Sequence, residues 1–320
     1  MEIWVPDYYE RFACLAGKCR HSCCKGWEVD IDPASYRKYL SFPGETGKLL
    51  RQNIQNGEES ACFRLTEDEC CPFLRKDGLC ELICREGEDI LCDICRYHPR
   101  YRSFFSDHVE TGLGMCCEEA ARIILTHPDK TGWILWNTDD GEEALPPSEE
   151  EQLLLSVRQT MISLAQDRSR PFQERFSLLC DYAELPGPFD GAGFAAFLLT
   201  LERMDEAWAG QLNALLSSPL PNENELDSLP DLPSEQLSVY LFSRLLPDAL
   251  EDQDLSGRIH LCLMLLHLIQ SLWALETRRS GTLSEEAAIE ICRLYSSEIE
   301  YSDENIGLIL DWLDQASISR

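Results

Sequence analysis

Four cysteines fall within the eleven residues Cys14-Leu15-Ala16-Gly17-Lys18-Cys19-Arg20-His21-Ser22-Cys23-Cys24, and the last two are adjacent. Adjacent cysteines pair poorly with each other, because a disulfide wants Cα atoms about 5.5 Å apart and a defined torsion. Glycine lets backbone wrap closely around an ion. Lys18, Arg20 and Lys25 favour thiolate over thiol, and the thiolate is the form that binds metal. This stretch therefore points to a cysteine-ligated metal or iron–sulfur centre, and the rest of the chain is read around it.

Thirteen of the sixteen cysteines precede residue 118. After the first group come Cys62, Cys70-Cys71-Pro72-Phe73-Leu74 and Gly78-Leu79-Cys80, then Cys84, Cys92 and Cys95-Arg96-Tyr97-His98-Pro99-Arg100, and last Cys116-Cys117. Most lie beside glycine, proline or turn residues, which places them on loops or short helix ends. A loop-rich region of this kind packs little apolar surface, and metal ligation would supply much of its folding free energy. The first ten residues carry neither a basic nor an apolar leader segment, so the expected location is the cytoplasm. In a reducing compartment, sixteen cysteines indicate metal or redox chemistry rather than a disulfide framework.

The formal net charge of −29 argues against nucleic-acid binding, which needs a basic footprint. The longest apolar run, 259–275, is interrupted by His260, His267 and Gln270 and falls short of a membrane span. Those two histidines are expected in a helical core. Asp32-Pro33 reads as an N-cap with proline at the first helical position, opening a helix over 33–40 that Pro43-Gly44 follows. Residues 139–151 hold seven acidic side chains and no basic one, with Pro146-Pro147 between them, and predict a linker or crossing loop. Ser148 with Glu151, and Thr282 with Glu285, have capping-box spacing. Apolar periodicity predicts helices from Leu154 through Leu164 and over 172–185, 194–216, 234–246, 255–276, 284–298 and 303–314. The expected fold is mostly α: a loop-rich, cysteine-ligated, metal-binding N-terminal half (1–138), an acidic linker (139–148) and an all-helical C-terminal half (149–320).

Phe12-x-Cys14-x4-Cys19-x3-Cys23-Cys24-x-Gly26-Trp27 resembles the opening of the flagellin lysine-N-methylase family. Cys71-Pro-Phe-Leu, Gly78-Leu-Cys80, Cys95-Arg-Tyr-His-Pro-Arg100 and Cys116-x-Glu118 resemble its later cysteine blocks, which a broader superfamily of zinc- or iron-chelating domains shares. Tyr295-Ser-Ser-Glu-Ile-Glu-Tyr-Ser-Asp-Glu-Asn305 is similar to the family's C-terminal stretch, with Tyr301 in place of histidine.

The resemblance implies methyl transfer from S-adenosylmethionine to lysines of flagellin, with an iron–sulfur cluster of the [4Fe–4S] type. Its ligand pool would be Cys14, Cys19, Cys23, Cys24, Cys71, Cys80, Cys95 and Cys116; Cys62, Cys70, Cys84, Cys92 and Cys117 fall outside it and are expected to be ordinary thiols. Arg96 and Arg100 are candidates for binding the methyl donor. Glu298, Glu300, Tyr301 and Asn305 are candidates for handling the substrate lysine, whose ammonium must lose a proton before it attacks. Zinc is the alternative metal, since four thiolates in a tetrahedron suit it equally. The alternative functions are a non-catalytic zinc or iron scaffold and a redox sensor.

Overall fold

The computed structural model describes residues 1–57, 60–138, 144–185 and 189–318. The fold is mostly α, with fifteen α-helices among the described residues and a small amount of sheet in the N-terminal half. By contacts the chain forms two compact units, one of residues 1–12, 102–116 and 120–320, the other of residues 13–101 and 117–119. Residues 139–143 of the expected acidic linker lie outside the described residues.

The larger unit is built around the helix Leu255–Ser280, which contacts Gly191–Leu198, Glu206–Leu216, Asp231–Leu245, Glu285–Ile299 and Asp303–Ile318. Leu261 to Leu266 and Leu268 to Leu275 on this helix are all buried, so it is apolar around its whole circumference, as a core helix must be. It is long and apolar enough to cross a membrane by length and composition, and 78% of that window is buried inside the protein. His267 lies against Phe176 and Phe189, with ring centroids 6.2 and 5.4 Å away. Burial holds its imidazole down at about 4. The unfolded chain therefore binds this proton first, and the larger unit should lose stability as pH falls from about 6.5 towards 4, by up to roughly 3 kcal/mol. Urea unfolding of the parent protein and His267→Leu across that range checks this, the variant giving the flatter profile.

Two sequence expectations change here. The single helix over 194–216 is two, Gly191–Leu198 and Glu206–Leu216. The break at Met204 and Asp205 is held by Glu298, whose carboxylate accepts both backbone amides at 2.9 and 2.7 Å. The expected capping boxes form only in part. Ser148 Oγ accepts the Glu151 amide, but the Glu151 carboxylate turns away to Ser106 N and Oγ. The later helix begins one turn-position on, capped by Ser284 rather than Thr282. Pro33–Ser41 forms as expected, with Asp32 accepting the amides of Ala34 and Ser35.

Strands carry more of the N-terminal half than the loop-rich expectation allowed. Arg100–Phe104, His108–Leu113, Glu2–Pro6 and Trp133–Thr138 form a sheet in that spatial order. Glu2–Pro6 runs parallel to His108–Leu113 and antiparallel to Trp133–Thr138. The smaller unit has a sheet of Asp30–Ile31, Ala61–Phe63 and Ile54–Asn56. Its core packs Val29, Ile31, Tyr39, Leu50, Phe63, Phe73, Leu82 and Ile90 together with the thiols Cys71 and Cys92.

Candidate metal centre

None of the sixteen cysteines is joined in a disulfide. In the smaller unit, three backbone crossings bring the cysteine loops together. Gly17 passes against the Asp77–Gly78 turn so closely that a Cβ on Gly17 would lie 2.6 Å from the Asp77 carbonyl oxygen. Gly78 itself has φ +79°, a conformation that glycine adopts without steric cost. Next, the Cys71 amide donates to the Cys24 carbonyl at 2.8 Å, beside the Gly26 amide donating to Glu69 O at 2.9 Å. Finally, Cys92 caps the short helix Asp93–Tyr97, placing Cys95 one turn further on. Asp32 fixes this helix by accepting the Asp93 amide at 3.1 Å, while the Tyr39 hydroxyl donates to Ile90 O at 2.7 Å.

The result is a line of sulfur contacts. The Cys23 and Cys71 thiols hydrogen-bond to the Cys24 sulfur, and these two bonds lower its pKa. The same contacts drive Cys23 and Cys71 upward. Cys95 donates likewise to Cys92, lowering it to about 7, and is itself raised by that bond. Cys24 and Cys71 also sense Cys95 electrostatically, and Cys80, raised by burial, senses Cys24. Cys24, Cys80 and Cys95 are half-buried against the apolar core that contains Cys71 and Cys92. Thiols in contact with one another beside an apolar core form a soft donor set suited to zinc or to iron–sulfur chemistry. Among the described residues, however, no three His, Cys, Asp or Glu side chains already close on one point as ligands. The donor chemistry and grouping fit a thiolate-held centre, and closing the ligand shell needs local movement of these loops.

The other expected ligands lie differently. Cys14 and Cys19 gather with Cys117, where burial and then Cys117 raise the Cys19 thiol to about 11. Cys23 senses both Cys14 and Cys117 and so touches both groups. Glu118 anchors this loop by accepting the Arg20 amide at 3.1 Å and the His21 amide at 3.3 Å. Cys116 belongs to the larger unit, where its thiol meets the Tyr301 hydroxyl. Cys92 and Cys117, outside the expected pool, lie beside Cys95 and Cys19 respectively. The Cys92-x2-Cys95 spacing marks the first in the sequence.

Around the thiols, the Trp27 indole donates to the Cys23 carbonyl at 2.9 Å, and its ring stacks on His98 at 6.3 Å. Burial lowers the His98 imidazole to about 4, against an upward pull from Cys24. Arg96 donates to the carbonyls of Asp89 and Leu91, and Arg100 lies near enough to His98 to disfavour its charged form.

The C-terminal candidates form a buried polar knot in the larger unit. The Tyr240 hydroxyl accepts the Met115 amide at 3.1 Å and donates to Glu300 Oε2, which also accepts from Ser296 Oγ at 2.8 Å. Glu300 Oε1 and the neighbouring Tyr295 hydroxyl are buried without a hydrogen bond, and burial raises the Glu300 carboxyl. Asn305 donates to the carbonyls of Glu202 and Glu298, and Tyr301 is half exposed. Glu298 and Asn305 thus act on backbone, whereas Glu300 retains an unused lone pair.

No protein-family profile and no solved structure matches the chain. Among curated proteins, it is 30% identical over 136 residues to a lysine-N-methylase of Salmonella typhimurium, covering 40% of this chain and 33% of that protein. It is 29% identical to a lysine-N-methylase of Salmonella choleraesuis, with the same coverage. Flagellar biosynthetic protein FliU of Salmonella muenchen is also 29% identical, over 40% of this chain and 79% of FliU. The matched stretch thus spans about a third of each lysine-N-methylase.

Proposed function

We propose that this chain, a relative of the lysine-N-methylases and FliU, transfers methyl groups from S-adenosylmethionine to lysines of flagellin and carries a thiolate-held iron–sulfur centre. The single observation that carries the metal part is the sulfur-to-sulfur contact of Cys23, Cys24 and Cys71 beside Cys80, Cys92 and Cys95. A [4Fe–4S] cluster takes up to four such thiolates and, when bound, would supply a redox-active group. Cys24 and Cys92 are the first ligands we assign, because each accepts a hydrogen bond from a neighbouring thiol. In the same unit, Arg96 and Arg100 would meet an anionic group by charge-assisted hydrogen bonds.

Proton handling falls to the C-terminal knot. A substrate lysine, with pKa about 10.4 in water, must lose a proton before its nitrogen is a nucleophile. Glu300 is assigned this proton through Oε1, with Tyr301 at the exposed side and Tyr240 and Ser296 fixing the second oxygen. The amine lone pair then forms the N–CH3 bond as the carbon–sulfur bond of the sulfonium donor breaks, leaving the neutral thioether. Glu298 and Asn305 are assigned the positioning of this stretch.

The test is anaerobic iron and sulfide analysis combined with incubation with flagellin and labelled methyl donor. Glu300→Gln should lower the rate of methyl transfer by about a hundredfold with iron content unchanged. Equal rates in the two proteins would remove Glu300 from the reaction.

The second reading, a zinc site, is favoured by the directness of the thiol contacts. Thiolates around one zinc ion, each about 2.3 Å from it, stand in contact with one another, as Cys24 does with Cys23 and Cys71. Stoichiometric zinc without sulfide would select it, and an absence of methyl transfer would then point to a scaffold.

A further inference from the structure

Outside the contacts around Cys24, three more thiols of the smaller unit are drawn together by backbone devices of their own. Cys14 and Cys19 flank the turn Ala16–Lys18, which Cys19 closes by donating its amide to the Ala16 carbonyl at 3.1 Å. The Ala16 amide in turn donates to the Cys14 sulfur at 3.4 Å. Ala16 holds φ +49°, a left-handed conformation that alanine adopts only at a steric cost, so the chain curls round an exposed sulfur. Cys117 arrives from far along the sequence. Residues 117–119 belong to the smaller unit although 116 and 120 do not. Glu118 fixes them there, its carboxylate accepting the Arg20 amide at 3.1 Å and the His21 amide at 3.3 Å, with the Arg20 guanidinium 3.7 Å away. Cys19 thus sits among Cys117, Glu118 and Cys14, each of which disfavours its ionisation, and Cys23 lies near Cys14 and Cys117.

Acidic groups brought together in this way are settled by a cation rather than by one another, and sulfur selects a soft one. We propose that Cys14, Cys19, Cys23 and Cys117 hold a zinc ion as a second centre, structural in role and separate from the one at Cys24. The adjacent pair Cys23-Cys24 divides between the two, since Cys24 packs on the apolar core while Cys23 is exposed. Cys24, Cys71, Cys80, Cys92 and Cys95 then remain for the first centre, enough for its shell. Three ligands from one loop and a fourth from a remote segment make a closed tetrahedral shell, which suits an ion without redox chemistry at an exposed position. The amide bond to Cys14 is of the kind that orients a metal-bound sulfur. The four sulfurs approach without yet meeting at one point, so zinc would close the loop and tie residues 117–119 to it. None of this rests on the methylation reading.

The probe is zinc itself, with iodoacetamide reporting on the thiols. The whole chain, purified anaerobically, is alkylated before and after a chelator removes zinc, and each cysteine peptide is quantified by mass spectrometry. Cys14, Cys23 and Cys84 are all exposed, so without metal they should react alike. In zinc-replete protein, Cys14 and Cys23 should react at least about tenfold more slowly than Cys84, and the chelator should abolish that difference. Cys117→Ser should lose about one zinc per chain with iron, sulfide and circular dichroism unchanged, and the zinc edge of the parent should show four sulfurs at about 2.3 Å. Cys14 and Cys23 labelling as fast as Cys84 in zinc-replete protein overturns the proposal. So does zinc unchanged in Cys117→Ser, or iron lost together with it, which would make all these sulfurs one centre. Zinc held this way in a chain without iron or sulfide would sink the iron–sulfur reading and leave this one standing.

Discussion

Cys24→Ser should strip the protein of its metal, to less than about a tenth of the parent content, and unfold the cysteine-rich unit under conditions where the parent is folded. The size of the effect follows from position. Cys24 receives hydrogen bonds from two other thiols, lies beside the backbone bond from Cys71, and borders the core of Phe63, Phe73 and Leu82. A thiolate-held ion contributes on the order of 10 kcal/mol to folding in small metal-held modules, far more than the few contacts a serine would forfeit. Cys84→Ser is the matched control: Cys84 is exposed and neighbours only Cys80 among the thiols, without the two thiol hydrogen bonds that Cys24 receives, so its loss should leave metal content and folding unchanged. Metal analysis and far-ultraviolet circular dichroism on both variants decide the matter. Equal metal in the two would place the centre elsewhere.

The second large effect belongs to the helical unit. Glu235 and Arg175 are both about 1% exposed and bonded at 2.7 Å, while Arg168 donates to the same carboxylate at 2.9 Å. Arg175 also donates to the Ala165 carbonyl and to Asp231, so the pair ties together Glu149–Ala165, Phe172–Tyr182 and Asp231–Leu245. A pair of this kind gains little over apolar packing while intact, but removing one partner strands a buried charge. Glu235→Ala should therefore destabilise the unit by about 3–5 kcal/mol, measured by urea unfolding. A loss under about 1 kcal/mol would mean that Asp231, half exposed at the margin, or water compensates Arg175 in full.

The helices were legible wherever apolar periodicity and a local cap agreed. Leu255–Ser280 and Glu285–Ile299 came out within a few residues of expectation, because their buried faces are written in consecutive turns. What escaped was whatever is set by a partner far along the chain. The break at Met204 has one local mark, Asp205 capping the next helix, and is held by a carboxylate 94 positions later. Glu151 has capping-box spacing, yet the Ser106 amide and hydroxyl compete for its oxygens and win. Gly44 looked like a helix end but begins Gly44–Asn53, its φ of +67° making the turn between two helices that pack on each other. Glu2–Pro6 and Trp133–Thr138 carried too few residues to show alternation; the first is made a strand by pairing with both His108–Leu113 and Trp133–Thr138, the second by pairing with the first.

The thiols divide in the same way. The resemblance picked out Cys23, Cys24, Cys71, Cys80 and Cys95, which gather around one place in the smaller unit. Cys14 and Cys19 gather with Cys117, and Cys116 meets Tyr301 in the larger unit. Spacing in sequence could mark these residues as sulfur donors. Only the backbone crossings at Gly17, Cys71 and Asp93 decide which sulfurs meet. In the C-terminal stretch, the glutamates looked alike in sequence and are equally buried, and hydrogen bonding separates them: Glu298 is consumed by two amides while Glu300 keeps one oxygen free.

X-ray absorption at the metal edge of anaerobically purified protein examines the grip of these thiols most directly. The account predicts a first shell of sulfur alone, a short iron–iron vector behind it, and loss of both in Cys24→Ser but not in Cys84→Ser. A shell of oxygen and nitrogen, or a sulfur shell untouched by the loss of Cys24, would contradict it.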